Sequence, residues 1–546
     1  MRSPAEERAM SHSGADSTAA FHGLKVERDV HVPLRDGSHL VADVFRPDGS
    51  GQFPTIITLG PYSKDIHFKD WNKTYDYAKL PERGPYMHWE TVNPEWWVPQ
   101  GYTVVRVDGR GTGKSPGRIR RLSDEEAADF YDAVEWAGTQ PFSNGRVAVL
   151  GISYFAMNSW RVAAARPPHL AAIVPWEGAV DTYRDASRHG GIYSNGFNRR
   201  WASHVREHET GGRSQAAPPP APVGMTPPEL FDPALYHVPD LAKIQVPLLS
   251  AGNWGGIGLH LRGNVEGFLG AGSRQKFLQI HCGDHIVPFY SLEGRLTQKR
   301  FLDYWLCGID TGVTREPPIK LAIRTTNERW RWRYENEWPI ARTQWTAYAL
   351  DAARNALAPA TPAAEASASY TAEPGAAREA ASARFVTAPF AEPTEFTGPI
   401  SLKLWVSASG DDADLFAIVR KLDSQGREVT FQGSINPGFP VACGWQRVSH
   451  RKLDPAHSKP WRPYHPHDEL LKLADGEIVP VEIEIWPTSI VFEPGDRLVL
   501  EVAAHDEPRI APFLHDDPRD RVLAKKIILH TGGRFDSHLL LPRIPG

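Results

Sequence analysis

The chain is poor in cysteine. Cys282, Cys307 and Cys443 are odd in number and far apart in 546 residues, which argues against a disulfide framework or a paired-cysteine metal site and fits reduced, isolated thiols. No apolar run approaches the ~20 residues that span a bilayer. The N-terminus carries charges but no apolar signal-peptide core, so a cytoplasmic protein without a membrane anchor is expected. Charge of one sign is also lacking: 61 Lys and Arg stand against 65 Asp and Glu, a net charge of -4, so no basic field is offered to nucleic acid or an anionic membrane. A phosphate-binding loop is missing as well. Gly109-Arg-Gly-Thr-Gly-Lys-Ser115 ends correctly, but Asp108 stands where the first Walker glycine belongs. Neither a metal nor a nucleotide cofactor is implied.

The composition that remains, 41% hydrophobic and 23% charged, is that of a globular protein, and the length calls for two or three domains. Residues 1–22 are polar and rich in Ala and Ser and read as a disordered leader. Apolar, β-branched runs then alternate with helical periodicity: Phe53–Leu59, Tyr102–Asp108, Arg146–Gly151, Leu170–Pro175, Val246–Asn253 and Phe277–His281 read as strands, with a helix over 124–138. That pattern predicts a parallel sheet covered on both faces. A hairpin around Arg35-Asp36-Gly37 precedes it, and residues 66–98 form a long insertion rich in Trp and Tyr, of the kind that lines a site or packs on a neighbouring domain. Residues 183–240, rich in His, Arg and Pro, interrupt the alternation and read as a mostly helical segment with a Pro-rich loop at 216–222. After Pro317-Pro318 strand follows strand, which predicts a β-sandwich crossed by a loosely ordered Ala-rich connector at 352–384.

The strand at 146–151 ends in Gly151-Ile152-Ser153 and turns into a helix over 154–165. A serine on a tight strand-to-helix turn has the geometry of a nucleophile elbow, although Phe155 stands where the last glycine of G-x-S-x-G would be. A serine that merely caps a helix has the same local look. His285, at the end of the last parallel strand in Gly283-Asp284-His285, is downstream as the order Ser, acid, His requires, and is the expected base.

Gly60-Pro-Tyr62, Asp108-x-Arg110-Gly111-x-Gly113-x-Ser115-x-Gly117, Gln140-Pro-x-x-Asn144-Gly145, Gly151-Ile-Ser153-Tyr154 and Ile485-Trp-Pro-Thr-Ser489 together resemble the cocaine-esterase and X-Pro dipeptidyl-peptidase group of serine hydrolases (CocE/NonD, peptidase S15-like), from about residue 25 to the C-terminus. The resemblance implies an α/β fold: an α/β-hydrolase core at 23–182 and 241–316, a helical cap inserted at 183–240, and a C-terminal all-β jelly roll at 317–546. It also implies that the Tyr62 hydroxyl and the Tyr154 backbone N–H form the oxyanion hole. Asp108 and Arg110 read as a structural ion pair. The family's acid is not found: Gly255 stands where the Asp would be. Glu177, at the end of the sixth strand in Trp176-Glu177-Gly178, is the expected acid, with Asp181, Asp284 and Glu266 as rivals.

Two functions compete at this point. One is a serine hydrolase acting through an acyl-enzyme on a small ester or amide, or on a short peptide as a dipeptidyl-peptidase. The other is a degenerate hydrolase that only binds. The presence of nucleophile, base and oxyanion donor favours the enzyme. Ester cleavage is favoured over X-Pro cleavage, which needs a carboxylate for a free amine; Glu177 and Asp181 are the candidates. A homodimer is allowed.

Overall fold

The computed structural model describes residues 23–207, 228–511 and 513–546; the leader and the Pro-rich loop at 216–222 lie outside them. The first hydrogen-bonded sheet contains β1 (Leu24–Pro33), β2 (His39–Pro47), β3 (Phe53–Gly60), β4 (Thr103–Asp108), β5 (Ser143–Ile152), β6 (Leu170–Trp176), β7 (Leu248–Asn253) and β8 (Lys276–His281). Pairings run β1-β2-β4-β3-β5-β6-β7-β8, antiparallel through β1, β2 and β4 and parallel from β4 onward. Every residue of β3, β4 and β7 is buried, as a parallel sheet packed on both faces requires.

The crossover between β4 and β5 is α1 (Asp124–Thr139). Ser123 caps it by accepting a bond from Glu126 N, and three acidic residues occupy its first turn, complementing the positive end of the helix dipole. Phe130, Ala133, Val134 and Ala137 form its buried side. The helix after β5 is α2 (Tyr154–Ala165), and Asn158 anchors it by donating to Leu59 O at 3.1 Å. Residues 183–207 contain α3 (Gly196–Glu207), whose first residues follow two short paired strands.

From Ile319 the chain is almost entirely β. Strands 344–351, 538–544, 394–408, 479–492, 442–447, 414–422, 497–503 and 382–387 pair in that order, and the short strand 356–358 closes the ring back to 344–351. They enclose a core of their own, with Phe385, Leu402, Leu404, Ile483 and Leu500 at its centre. The Ala-rich connector is more regular than its composition suggests: 356–358, 366–370 and 382–387 are strands, because small side chains fit where neighbouring strands supply the packing. No helix among the described residues is long and apolar enough to cross a membrane.

Candidate active site

Ser153 stands between β5 and α2 with φ 56° and ψ -111°, a backbone state that non-glycine residues avoid. The surroundings over-determine it: Ser153 N donates to Trp176 O and Glu177 O at 3.0 and 3.1 Å, and Met157 N donates back to Ser153 O at 2.8 Å. Gly151 is needed for close approach, since a Cβ there would lie 2.6 Å from Phe155 Cβ and 3.2 Å from Glu90 O. Phe155, which replaces the usual last glycine, thus packs across the turn. At the start of α2, the Tyr154 N–H is among those that a helix leaves without an intrahelical partner.

The imidazole on Ser153 is His260, with Nε2 3.2 Å from Oγ. It lies seven residues beyond β7, in the stretch where a relative's acid would be sought. His285 stacks on His260 with ring centres 5.1 Å apart and planes 4° from parallel. The sequence-based expectation that Ser153 would meet His285 differs from this arrangement, and the reason is that both nitrogens of His285 are taken: Nδ1 lies 2.9 Å from Glu177 Oε2, and Nε2 lies 3.1 Å from Glu90 Oε1. An ionised carboxylate only accepts, so a carboxylate on each nitrogen suits a doubly protonated ring. Burial opposes that charge, but the charge and hydrogen bond of Glu177, followed by those of Glu90, lift its pKa to about 10. Burial first, and then the charge on His285, push the pKa of His260 well below the usual histidine value, which keeps that ring neutral.

Glu177 is fully buried and follows β6 with φ 48°. Its Oε1 accepts from Asn253 Nδ2 at 3.2 Å. Its Oε2 accepts from Ser434 Oγ at 3.0 Å and lies 4.0 Å from His260 Nδ1. Ser434 belongs to the C-terminal β-region, and its loop packs against Gly255. A Cβ on Gly255 would lie 2.5 Å from Gln432 O and 2.7 Å from Gly433 Cα, so no aspartate fits there. Of the rivals, Asp284 accepts from Ile286 N and Val287 N, Glu266 pairs with Arg462, and Asp181 pairs with Arg184.

Tyr62 follows β3. Its loop is held by Asp108, which accepts from Lys64 N at 2.6 Å and Lys114 N at 3.0 Å. Arg110 bonds Asp129 instead of the Asp108 expected from sequence: Asp108 is occupied by backbone donors, while α1 presents Asp129. The Tyr62 hydroxyl accepts from Trp201 Nε1 of α3 at 3.3 Å, which leaves its own proton to point elsewhere. Burial, followed by the charge of Glu90, raises its pKa far above the ordinary tyrosine value, so it stays protonated, and it interacts with both Glu90 and Ser153. The Tyr154 side chain is turned away and bonds Glu126 at 2.8 and 2.9 Å. Sequence reasoning missed His260, Glu90, Trp201 and Ser434. Only His260 carried a signal, since 153, 177, 260 also satisfies the order Ser, acid, His.

Tyr62, Ser153 and His260 open on a cavity of about 640 Å³ lined also by Leu122, Met157, Phe197, Trp201, Leu235 and Leu259. Among the described residues, ligand atoms of Glu177, His260 and His285 lie within 4.8 Å of one another, as do those of Asp29, Asp43 and Asp65. Hydrogen bonds account for the first group, and Lys64 Nζ occupies the second at 2.6 to 3.0 Å.

The family model of the X-Pro dipeptidyl-peptidase (S15 family) matches residues 36–220, and that of the X-Pro dipeptidyl-peptidase C-terminal non-catalytic domain matches residues 311–540. The crystal structure of a CocE/NonD family hydrolase from Staphylococcus aureus is 33% identical, covering 95% of this chain and 94% of that one with a TM-score of 0.87. Cocaine esterase of Rhodococcus sp. is 24% identical over 95% of this chain and 98% of its own length. An aminopeptidase from a marine sediment Thaumarchaeota archaeon shares the fold, at 15% identity, 98% and 100% coverage and a TM-score of 0.73. With an elbow serine in contact with an imidazole and this degree of likeness along nearly its whole length, the chain belongs to the CocE/NonD family of hydrolases.

Proposed function

We propose that the protein is a serine esterase that works through an acyl-enzyme. The observation that carries this reading is the strained Ser153 with its Oγ 3.2 Å from the His260 imidazole, both lining a largely apolar cavity that also holds Arg121. Ser153 Oγ attacks the ester carbonyl as its proton passes to His260 Nε2. The oxyanion is received by the Tyr62 hydroxyl and the Tyr154 N–H. His260 then protonates the leaving alkoxide, and a water hydrolyses the acyl-enzyme by the same route in reverse. Glu177 bonds His285 and lies 4.0 Å from His260 Nδ1, so in this Ser-His-Glu arrangement the proton-accepting ring is His260 and the acid acts on it through its charge.

Ester cleavage is favoured over X-Pro cleavage because no carboxylate lines the cavity among the described residues. Of the two acids that sequence offered for a free amine, Glu177 is spent on His285 and Asp181 on Arg184 at 2.6 Å. The apolar lining fits a hydrophobic or aromatic acyl group, and one relative in the family is named as an esterase. This reading takes α3 and its surroundings as the cap over the site and the C-terminal β-region as a jelly roll, with the hydrolase core at 23–182 and 241–316. Turnover of p-nitrophenyl esters of graded chain length beside Ala-Pro-p-nitroanilide is the test: the esters should be cleaved and the dipeptide should not. Preferred cleavage of the anilide would overturn the esterase reading.

A further inference from the structure

Glu90 belongs to no expected motif, yet it is built into the site. Its backbone has φ 58°, its carbonyl accepts from Ile152 N at 2.9 Å, and the next residue, Thr91, bridges Gly151. The segment is thus tied to the two residues that precede the nucleophile. The residue is only 4% exposed; Oε1 lies on His285 Nε2, and the Tyr62 hydroxyl interacts with the same carboxylate. A carboxylate buried this deeply on a strained backbone is costly, and such costs collect where function requires them.

Resting on the serine-hydrolase reading, we propose that Glu90 is a positioning residue: with Glu177 it clamps His285 as a permanent imidazolium between two carboxylates, and this frame reserves His260 for the Ser153 proton. The charge arithmetic supports it. Two carboxylates and one imidazolium leave the cluster with one net negative charge. When His260 accepts the Ser153 proton the imidazole–carboxylate group becomes neutral, so the buried site is arranged for the charge that the transition state creates. Without Glu90, His285 Nε2 loses its acceptor, the ring can release its proton, and the two stacked imidazoles compete for one role. The other titratable groups around His285 do not supply a second clamp. His260 is neutral, His281 lies 3.6 Å from Glu177 Oε1, and Asp284 is bonded to Ile286 N, Val287 N and Tyr75.

The test is the nitrogen-15 spectrum of the histidine-labelled full chain, with His285 identified by its loss in His285→Gln, alongside ester kinetics and fluorophosphonate labelling of Ser153. In the unsubstituted protein at about pH 8, well above the ordinary histidine value of ~6.5, both His285 nitrogens carry protons. In Glu90→Gln the ring titrates at least one pH unit lower, and kcat/KM falls about ten- to a hundredfold, the range of one lost charge-assisted hydrogen bond. Glu90→Asp restores part of both. A neutral His285 in the unsubstituted protein overturns the frame, as does a Glu90→Gln variant with His285 and kcat/KM unchanged. If Glu90→Gln fails to fold, Glu90→Asp must still shift the His285 titration, and no shift there overturns the frame equally. A Ser153 that does not label overturns the hydrolase reading itself, which separates that failure from failure of the frame.

Discussion

Ser434 donates a 3.0 Å hydrogen bond to Oε2 of Glu177, across 257 residues of sequence, from the C-terminal β-region into the carboxylate beneath the two imidazoles. Its backbone also receives His285 N at 2.7 Å and donates to Gly255 O at 2.9 Å. One loop of the β-region therefore bonds the Glu177 carboxylate, seats His285 and crowds Gly255. Ser434→Ala should lower kcat by about tenfold, the effect of one hydrogen bond to a charged group, with KM little changed. An unchanged kcat would remove the β-region from the chemistry.

Gly255→Asp should not restore the family's triad. Its Cβ would meet the Gln432 carbonyl at 2.5 Å, so the loop that carries Ser434 must move. The variant is expected to melt lower and turn over more slowly, and Glu177→Gln combined with it should be no faster than Glu177→Gln alone. Rescue by the double variant would contradict the steric account.

Glu177→Gln replaces the carboxylate by an isosteric amide that cannot stabilise an imidazolium, so kcat should fall by orders of magnitude with the fold retained. Circular dichroism and steady-state kinetics check this. Near-normal turnover would show that the acid lies elsewhere.

Tyr62→Phe removes a donor to the oxyanion and should cut kcat by ~10² to 10³ with a smaller change in KM. Trp201→Phe removes only the 3.3 Å bond that orients the Tyr62 proton and should cost less. If both leave kcat unchanged, the oxyanion hole is built from other groups.

The pH profile follows from the two imidazoles. His260 must be neutral to act, and burial together with the His285 charge lowers its pKa, so the acid limb of kcat/KM should lie below ~6.5. His285 has its pKa raised to about 10. A raised folded-state pKa gives stability that is complete below the unfolded value of ~6.5 and is lost as pH rises through about 10. Thermal melts should therefore decline steadily from neutrality toward pH 10, while kcat/KM holds until close to that value. An acid limb at or above 7 would contradict the neutral His260.

Much of the core was legible in the sequence because local signals sufficed. The apolar runs of β3 to β8 mark buried parallel strands, and Gly151-Ile152-Ser153 before a helical stretch marks the turn. Glu177 could be named as a candidate acid because it directly ends a strand. Chain order alone allowed His260 without preferring it to His285, and nothing pointed to Glu90, because their roles come from contacts between segments far apart in the chain: Glu90 reaches the site through its bridge to Gly151 and Ile152, and His260 through a loop that packs on the β-region. Nothing local in Trp89-Glu90-Thr91 distinguishes a clamping carboxylate from a solvated one. The Arg110 partner is not legible for the same reason, since its choice of Asp129 depends on where α1 packs.

The most direct test of the account is the mass of the intact protein and its peptides after brief reaction with a p-nitrophenyl ester and, separately, with a fluorophosphonate. The account predicts one acyl or phosphonyl group per chain, carried on Ser153, with the acyl group released in step with turnover and neither adduct formed by Ser153→Ala. An adduct on another residue, or ester turnover that persists in Ser153→Ala, would contradict it.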